Sequence, residues 1–162
     1  MNPTASARAY IGLGSNLGDS GATLRAALAE IAALPGVQSC EVSPFYRSAP
    51  VDAAGPDFIN AVAVLDTTLA PLPLLDALQA IELRHGRERP YRHAPRTLDL
   101  DLLLYGDAVM DTARLALPHP RMHERAFVLK PLRDLAPRLV LAQGTLDELI
   151  AKVAGQAIER LP

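Results

Sequence analysis

Hydrophobic and polar residues recur with two different periods along this chain, and these periods divide it into strands and helices. Short apolar runs and period-two stretches predict strands at residues 9–13, 37–46, 58–65, 96–105 and 139–142. Apolar residues three and four positions apart predict helices at residues 20–34, 71–85, 123–135 and 145–154. Asp19 or Ser20 is the predicted cap of the first helix, and Thr145 with Glu148 forms a capping box at the last.

The order of these elements predicts the fold class. Strand, helix, strand, strand, helix, strand is the split βαβ pattern of ferredoxin-like α+β folds, a βαββαβ core with helices packed on one antiparallel sheet. We expect a three-layer α/β/α arrangement. The chain has 162 residues, of which 49% are hydrophobic, which suffices for one core. We therefore expect residues 1–8 to be a disordered lead-in and residues 9–162 to form a single domain.

Charge and cysteine content narrow the function classes. The net charge of -2 at pH 7 argues against a general nucleic-acid or membrane-surface binder, because such proteins depend on net positive charge. Cys40 is the only cysteine, so no intrachain disulfide can form. The first ten residues lack the charged start and apolar centre of a signal peptide. We expect a cytoplasmic protein.

The segment RTLDLDLLLY, residues 96–105, contains two carboxylates within an otherwise apolar strand. Strict alternation places four leucines on one face, Leu98, Leu100, Leu102 and Leu104, and Thr97, Asp99, Asp101, Leu103 and Tyr105 on the other. The two carboxylates then lie about 6.5–7 Å apart along the strand, within reach of one cation or of two cations roughly 4 Å apart. Because Mg²⁺ prefers carboxylate and phosphate oxygens, this strand is a candidate magnesium site.

An arginine-rich segment lies immediately before this strand and contains Arg84, Arg87, Arg89, Arg92 and Arg96. Guanidinium groups match phosphate oxygens, so a basic loop beside two carboxylates indicates a polyphosphate held together with a metal. A solvated basic surface or an RNA-contacting patch is the alternative. RNA binding is disfavoured because aromatic residues make up only 4% of the chain, which leaves little to stack on bases.

Three other polar features are ambiguous. GLGSNLG, residues 12–18, has Leu17 where a dinucleotide fingerprint needs glycine, so a tight turn with positive φ is the favoured interpretation. Asn60 shares a strand face with apolar residues, and a satisfied edge asparagine is as compatible with this pattern as a binding residue. Gln79 and Glu82 are neighbours on one helix flank, where a solvated face is the simple alternative.

Longer motifs extend this picture. Six segments follow in a consistent order: AYIGLGSNLGD, FYRSAPV, DFINAV, IELRHGRER, APRTLDLDLLLYG and LPHPRMHERAFVLKPL. Together they resemble the 6-hydroxymethyl-7,8-dihydropterin pyrophosphokinase family of folate biosynthesis, from about residue 9 to residue 142. The resemblance implies that ATP donates its β,γ-diphosphate to the pterin hydroxymethyl oxygen and leaves as AMP.

The resemblance also implies roles for individual residues. The implied catalytic residues are Asp99, Asp101, Arg87 and Arg96. The two aspartates would hold two Mg²⁺ ions, and the two arginines would clamp phosphates. ATP would be bound by Gln79, Glu82, Arg89, Arg92, Leu102, Arg114, His119 and Arg125. The pterin would be bound by Ser48, Ala49, Val51, Phe58, Asn60, His93 and Phe127. The family commonly has Trp-Gly where this chain has His93 and Ala94. We expect a monomer whose partners are ATP and the pterin, without nucleic acid or membrane.

Overall fold

One large sheet with helices on both faces forms the body of the chain. The computed structural model describes residues 6–16, 19–50, 56–86 and 98–162. The strands in these ranges are β1 (Ala7–Ser15), β2 (Val37–Val42), β3 (Tyr46–Ser48), β4 (Phe58–Thr67), β5 (Asp99–Tyr105), β6 (Met110–Asp111), β7 (Ala116–Leu117), β8 (Val140–Leu141), β9 (Gly144–Thr145) and β10 (Ile158–Arg160). The helices are α1 (Ser20–Ala32), α2 (Pro71–Arg84), α3 (Ala126–Leu135) and α4 (Leu146–Lys152), with a 3₁₀ turn at Met122–Glu124.

The main sheet has the strand order β10-β3-β4-β1-β5, and β2 also pairs with β4. These pairings are antiparallel. The single strand predicted at 37–46 is wrong, because Ser43 and Pro44 separate β2 from β3. There the Ser43 Oγ accepts a hydrogen bond from Val62 N at 3.0 Å. Arg47 and Ser48, which follow the end of the predicted strand, also belong to β3.

Two apolar clusters cover the two faces of the sheet. The first cluster joins α1 and α2 to β1 and β5 through residues such as Leu24, Leu78 and Ile11. The second joins α3 and α4 to the opposite face through residues such as Leu132 and Leu103. The structure is therefore a mixed α/β fold built on an antiparallel sheet. No helix within the described ranges is long and apolar enough to cross a membrane.

Local capping signals account for where two helices begin. The Asp19 Oδ1 accepts from Ala22 N at 3.1 Å, which confirms Asp19 as the cap of α1. The capping box of Thr145 and Glu148 is confirmed at α4. The continuous helix predicted at 123–135 is wrong, because Arg125 is extended, with φ -121° and ψ 113°, and separates the 3₁₀ turn from α3.

A β-bulge modifies the predicted alternation of β5. The register shifts between Tyr10 and Ile11 of β1, which lie opposite Leu104 and Leu102, so Leu103 is the additional residue. Before the bulge the alternation is confirmed, with Leu98, Leu100 and Leu102 in the first cluster. After the bulge it is wrong: Leu104 packs against the second cluster, and Tyr105 packs against the first.

Candidate active site

Two glycines of β1 form the floor of a cavity on the sheet face that also carries the carboxylates. Gly14 lies between Asn60 of β4 and Asp99 of β5 in the strand register. Gly12 lies between Val62 and Asp101 in the same way. Because glycine has no side chain, this row leaves a groove between the amide of β4 and the carboxylates of β5.

The structure therefore corrects the predicted role of GLGSNLG. Gly12 and Gly14 belong to β1 and form no tight turn, while Leu17 and Gly18 lie outside the described residues. Among the residues that the structure describes, the glycines with positive φ are Gly36, Gly86, Gly106 and Gly144. A Cβ built on Gly14 would lie 3.1 Å from the Asn60 Nδ2, whereas one on Gly12 would meet Leu103 at 3.5 Å. Of these two glycines, Gly14 thus has less room for a side chain.

Asp99 and Asp101 lie on the cavity side of β5, as strand alternation predicts. Both line the cavity and both are half-buried. Each also has an interaction within the protein. Among the described residues there is no group of three or more His, Cys, Asp or Glu side chains that could hold a metal ion.

On the opposite side of the floor, Ser48 of β3 and Asn60 of β4 form a buried polar pair. The Ser48 Oγ donates to the Asn60 Oδ1 at 2.6 Å, and the residues are 5% and 4% exposed. This bond fixes the orientation of the amide, with its Nδ2 toward Gly14. Asn60 is therefore satisfied through its oxygen and also lines the cavity.

The start of α3 and the turn before it form the third wall. The Arg125 Cζ lies 5.6 Å from the centroid of the Phe127 ring, a cation–π arrangement. Arg121, Glu124 and Gln156 line the same wall. Two arginines and two aspartates thus line the same cavity, which suits a polyanion bound together with a cation.

The cavity measures about 530 Å³, a size that accommodates a small-molecule ligand. Eight predicted site residues line it: Ser48, Ala49, Phe58, Asn60, Asp99, Asp101, Arg125 and Phe127. Sequence reasoning missed Gly12, Gly14, Arg121, Glu124 and Gln156, which line it as well. The period-two spacing of the glycines after an apolar start was the available signal for the first two.

Other predicted nucleotide residues lie along β5 and α2, away from the cavity lining. Glu82 is only 4% exposed, so the solvated-face alternative is wrong for it. Its Oε2 accepts from Leu100 N at 2.8 Å, on the strand edge that does not pair with β1. The Arg114 Nη2 contacts the Asp76 Oδ1 at 2.5 Å and the Gln79 Oε1 at 3.4 Å.

Of two further predicted nucleotide residues, Leu102 belongs to β5 and His119 is hydrogen-bonded to it. The Leu102 side chain is 3% exposed and packs in the first apolar cluster. His119 donates its backbone N–H to Leu103 O at 2.9 Å, and its Nδ1 accepts from Arg121 N at 3.1 Å. Burial lowers the pKa of His119, and Arg125 and Arg121 lower it further against the opposing effect of Asp101. A lowered pKa favours the neutral imidazole, whose Nδ1 can accept this hydrogen bond.

Six predicted site residues lie outside the described ranges, so the structure does not test them: Val51, Arg87, Arg89, Arg92, His93 and Arg96.

Comparison with known families places this cavity in context. The family model described as 7,8-dihydro-6-hydroxymethylpterin-pyrophosphokinase (HPPK) matches residues 10–137. A Pseudomonas aeruginosa protein named 2-amino-4-hydroxy-6-hydroxymethyldihydropteridine pyrophosphokinase is 54% identical over 157 residues, which cover 96% of this chain and 97% of that protein. A Methylorubrum extorquens protein of the same name is 44% identical over 155 residues, with 95% and 98% coverage.

Solved structures of longer chains share this fold. Plasmodium falciparum HPPK-DHPS A437G with pteroate superposes with a TM-score of 0.72 at 13% identity. The match covers 96% of this chain and 44% of that one, so this chain spans less than half of the solved chain's length. At this identity the likeness concerns the fold alone.

Proposed function

This chain belongs to the 7,8-dihydro-6-hydroxymethylpterin-pyrophosphokinase family, and we propose that it transfers diphosphate from ATP to the hydroxymethyl group of 6-hydroxymethyl-7,8-dihydropterin in folate biosynthesis. The products are the pterin diphosphate and AMP. One observation carries the proposal: Asp99 and Asp101 lie across a glycine floor from Asn60 within one cavity. Such a site can hold a metal-bound phosphate chain at one side and a heterocycle at the other.

The pterin occupies the half of the cavity formed by β3, β4 and α3. Asn60 offers its Nδ2 to an acceptor atom of the ring, and the bond from Ser48 keeps the amide oriented. Phe58 and Phe127 line the cavity and offer aromatic surface to the heterocycle. Ala49 lines the cavity beside them. Binding the ring there directs its hydroxymethyl group toward β5, which is how proximity contributes to the transfer.

The residues present fit divalent magnesium. Two carboxylates on one strand face are the oxygen donors that Mg²⁺ takes together with substrate phosphates. When bound by Asp99 and Asp101, two Mg²⁺ ions would neutralise phosphate charge and polarise the transferred group. The half-buried position of these aspartates limits competition from water for the same oxygens.

The nucleotide occupies the side of the cavity toward β5 and the start of α3. Arg125 and Arg121 place positive charge beside the carboxylates, where they balance the triphosphate. Gln79, Glu82, Leu102, Arg114 and His119 follow the outer side of β5 and are proposed to contact the nucleoside. Clamping of the phosphates by Arg87, Arg89, Arg92 and Arg96, and pterin contacts by Val51 and His93, remain predictions.

The antiparallel neighbours β5, β1, β4 and β2, with α1 and α2 between them in the chain, support a ferredoxin-like core as the finer description of the fold. The monomeric state, the single domain at 9–162 and the cytoplasmic location remain predictions. The alternative of an RNA-binding module finds no support in the family match or in the named relatives.

The nucleotide product tests this proposal. Incubation with ATP, Mg²⁺ and 6-hydroxymethyl-7,8-dihydropterin should give equimolar AMP and pterin diphosphate, separated by ion-exchange chromatography and identified by mass. Formation of ADP would contradict diphosphate transfer. Treatment with EDTA should abolish turnover, and excess Mg²⁺ should restore it. Activity that persists in EDTA would remove the metal from the proposal while leaving the reaction in place.

A further inference from the structure

The C-terminal segment 156–160 contacts a wall of the cavity, although it lies beyond residues 10–137 that match the family model. Its strand β10 pairs with β3, the strand that carries Ser48. Ala49 N also donates to Ala157 O at 3.3 Å. The segment is therefore held along the wall that Ser48 and Ala49 form.

Gln156 connects this segment to the wall at the start of α3. Its Nε2 donates to Glu124 O at 2.8 Å, and its Oε1 accepts from Ala126 N at 2.9 Å. The two bonds lie on either side of Arg125, whose backbone is extended. One carboxamide thus pairs with the chain as a neighbouring strand would, and it restrains the backbone of Arg125.

The bond to the Gln156 Oε1 also provides an acceptor for the first backbone N–H of α3. Ala126 is the first residue of this helix, and N–H groups in a first turn have no partner within the helix. The N-cap residue Arg125 makes no side-chain capping bond. Ala126 is only 2% exposed, so loss of its acceptor would leave a buried donor unsatisfied and favour a shift of the chain there.

We propose that Gln156 is a positioning residue for the transfer reaction, because its carboxamide places Arg125 and Phe127 in the cavity. The Arg125 Cζ lies 5.6 Å from the centroid of the Phe127 ring. Both residues line the cavity together with Gln156. The kinetic consequence rests on the proposed function, in which Arg125 contacts the nucleotide and Phe127 the pterin. The C-terminal segment thereby contributes to substrate binding through the backbone of another segment.

Gln156→Met tests this inference, because methionine has a similar length but neither donates nor accepts in this way. We expect KM to rise about tenfold for ATP and for the pterin, with a smaller change in kcat, as loss of hydrogen bonds of ordinary strength implies. Gln156→Glu keeps an acceptor for Ala126 N and loses the donor to Glu124 O, so its KM values should lie between. Gln38→Met on the exposed surface of β2 is the matched control and should leave both KM values unchanged.

Amide hydrogen exchange of the unliganded protein provides a readout that is independent of turnover. The Ala126 amide should exchange at least about tenfold faster in Gln156→Met, and it should keep its protection in Gln156→Glu. Circular dichroism establishes that each variant is folded at the assay temperature, so that a kinetic change cannot come from unfolded protein.

The outcomes separate the possibilities. Unchanged KM values in a folded Gln156→Met protein would overturn the inference, and faster exchange at Ala126 alone would then assign Gln156 a purely structural role. If the unsubstituted protein forms no AMP, the proposed function fails, and ATP binding measured by isothermal titration calorimetry decides the inference instead. Gln156→Met must then weaken ATP binding, and unchanged affinity would overturn the inference.

Discussion

The two faces of β1 and β5 serve different purposes, although their residues alternate one by one along the same strands. On one face Ile11, Leu13, Leu100 and Leu102 pack beneath α1 and α2, each no more than 5% exposed. On the other face Gly12, Gly14, Asp99 and Asp101 line an open cavity. Helices close the first face and leave part of the second uncovered, so the apolar residues stabilise the fold and the adjacent polar positions can carry the chemistry.

Substitutions at neighbouring positions should therefore separate activity from stability. A change on the cavity face should reduce turnover or substrate affinity while leaving the free energy of unfolding near its original value. A change on the helix-covered face should do the reverse. Four experiments test this separation, and they differ in the size of the expected effect.

Asp99→Asn and Asp101→Asn should give the largest effect. Asparagine keeps the shape of the side chain but removes the charge that holds the cation, so kcat/KM should fall about 1,000-fold or more, or roughly 4 kcal/mol. The midpoint of urea unfolding should change little. Asp107→Asn, in the exposed turn after β5, is the control and should retain activity. Normal turnover in either site variant would refute the metal-binding role of that aspartate.

Leu100→Ala tests the opposite face between these two aspartates. Leu100 is 5% exposed in the first cluster, and removal of a buried leucine side chain costs about 2–5 kcal/mol of unfolding free energy. Urea unfolding should show that loss, while kcat below the melting temperature should stay close to its original value. Leu83→Ala, at a position 57% exposed, should change stability by less than about 0.5 kcal/mol. A collapse of kcat in folded Leu100→Ala would break the comparison.

Gly14→Ala should have a smaller and more specific effect. Its new methyl group would lie 3.1 Å from the Asn60 Nδ2, so the amide must shift and its bond with Ser48 weakens. We expect KM for the pterin to rise about tenfold, the equivalent of 1.4 kcal/mol, with a smaller change for ATP. Gly12→Ala is the control, since its methyl group meets Leu103 at an ordinary 3.5 Å. Equal effects of the two substitutions would contradict the assigned role of Asn60.

Glu30→Gln should give the smallest effect and should concern stability alone. Glu30 joins α1 to the end of α2 through Arg84 at 2.7 Å and through His85. Partial burial by itself raises the pKa of Glu30, but hydrogen bonds and charge from Arg84 and His85 outweigh it and lower the pKa below its ordinary value. Its contribution to stability is therefore present above about pH 4.3, the ordinary range, and is lost as the pH falls through the lowered pKa.

We expect a difference of less than about 1 kcal/mol between the two proteins at pH 7, because the pair is partly exposed. Urea unfolding at pH 7, 5 and 3 measures this difference, which should shrink at the lowest pH. A difference that is constant with pH would show that the ionised carboxylate is not its source. Turnover at pH 7 should be unaffected.

Local signals explain which parts of the fold the sequence predicts well. The caps at Asp19 and Thr145 depend on residues three positions away, and the helices they begin are correctly predicted. The strand β10 depends on pairing with a distant segment, so no local pattern reveals it. The split at Ser43 has a local signal in Pro44, but its position also depends on the hydrogen bond with the distant Val62. The continuous helix through Arg125 was predicted because its apolar spacing continues, while the hydrogen bonds from Gln156 that stabilise the extended backbone come from 30 residues away.

The site follows the same division. Asp99, Asp101, Asn60 and Phe127 were identifiable from a motif or from alternation, and the structure brings them to one cavity. The glycines of β1 were assigned to a turn, because glycine serves equally to permit positive φ and to leave space beside a strand. Only the register of β1 between β4 and β5 distinguishes these uses.

The bulge at Leu103 allows Tyr105 to lie on the opposite face of the sheet from Asp99 and Asp101, whereas strict alternation would place all three on one face. Downstream of it, the Tyr105 hydroxyl donates to Leu69 O at 2.5 Å beside the first cluster. Upstream, Asp99 and Asp101 must face the cavity, since carboxylates turned beneath α2 would each lose several kcal/mol of hydration. Without the extra residue the two ends would be out of phase by one position. The bulge thus lets the hydroxyl of Tyr105 anchor one end of β5 on the helix-covered side while the carboxylates at the other end face the cavity.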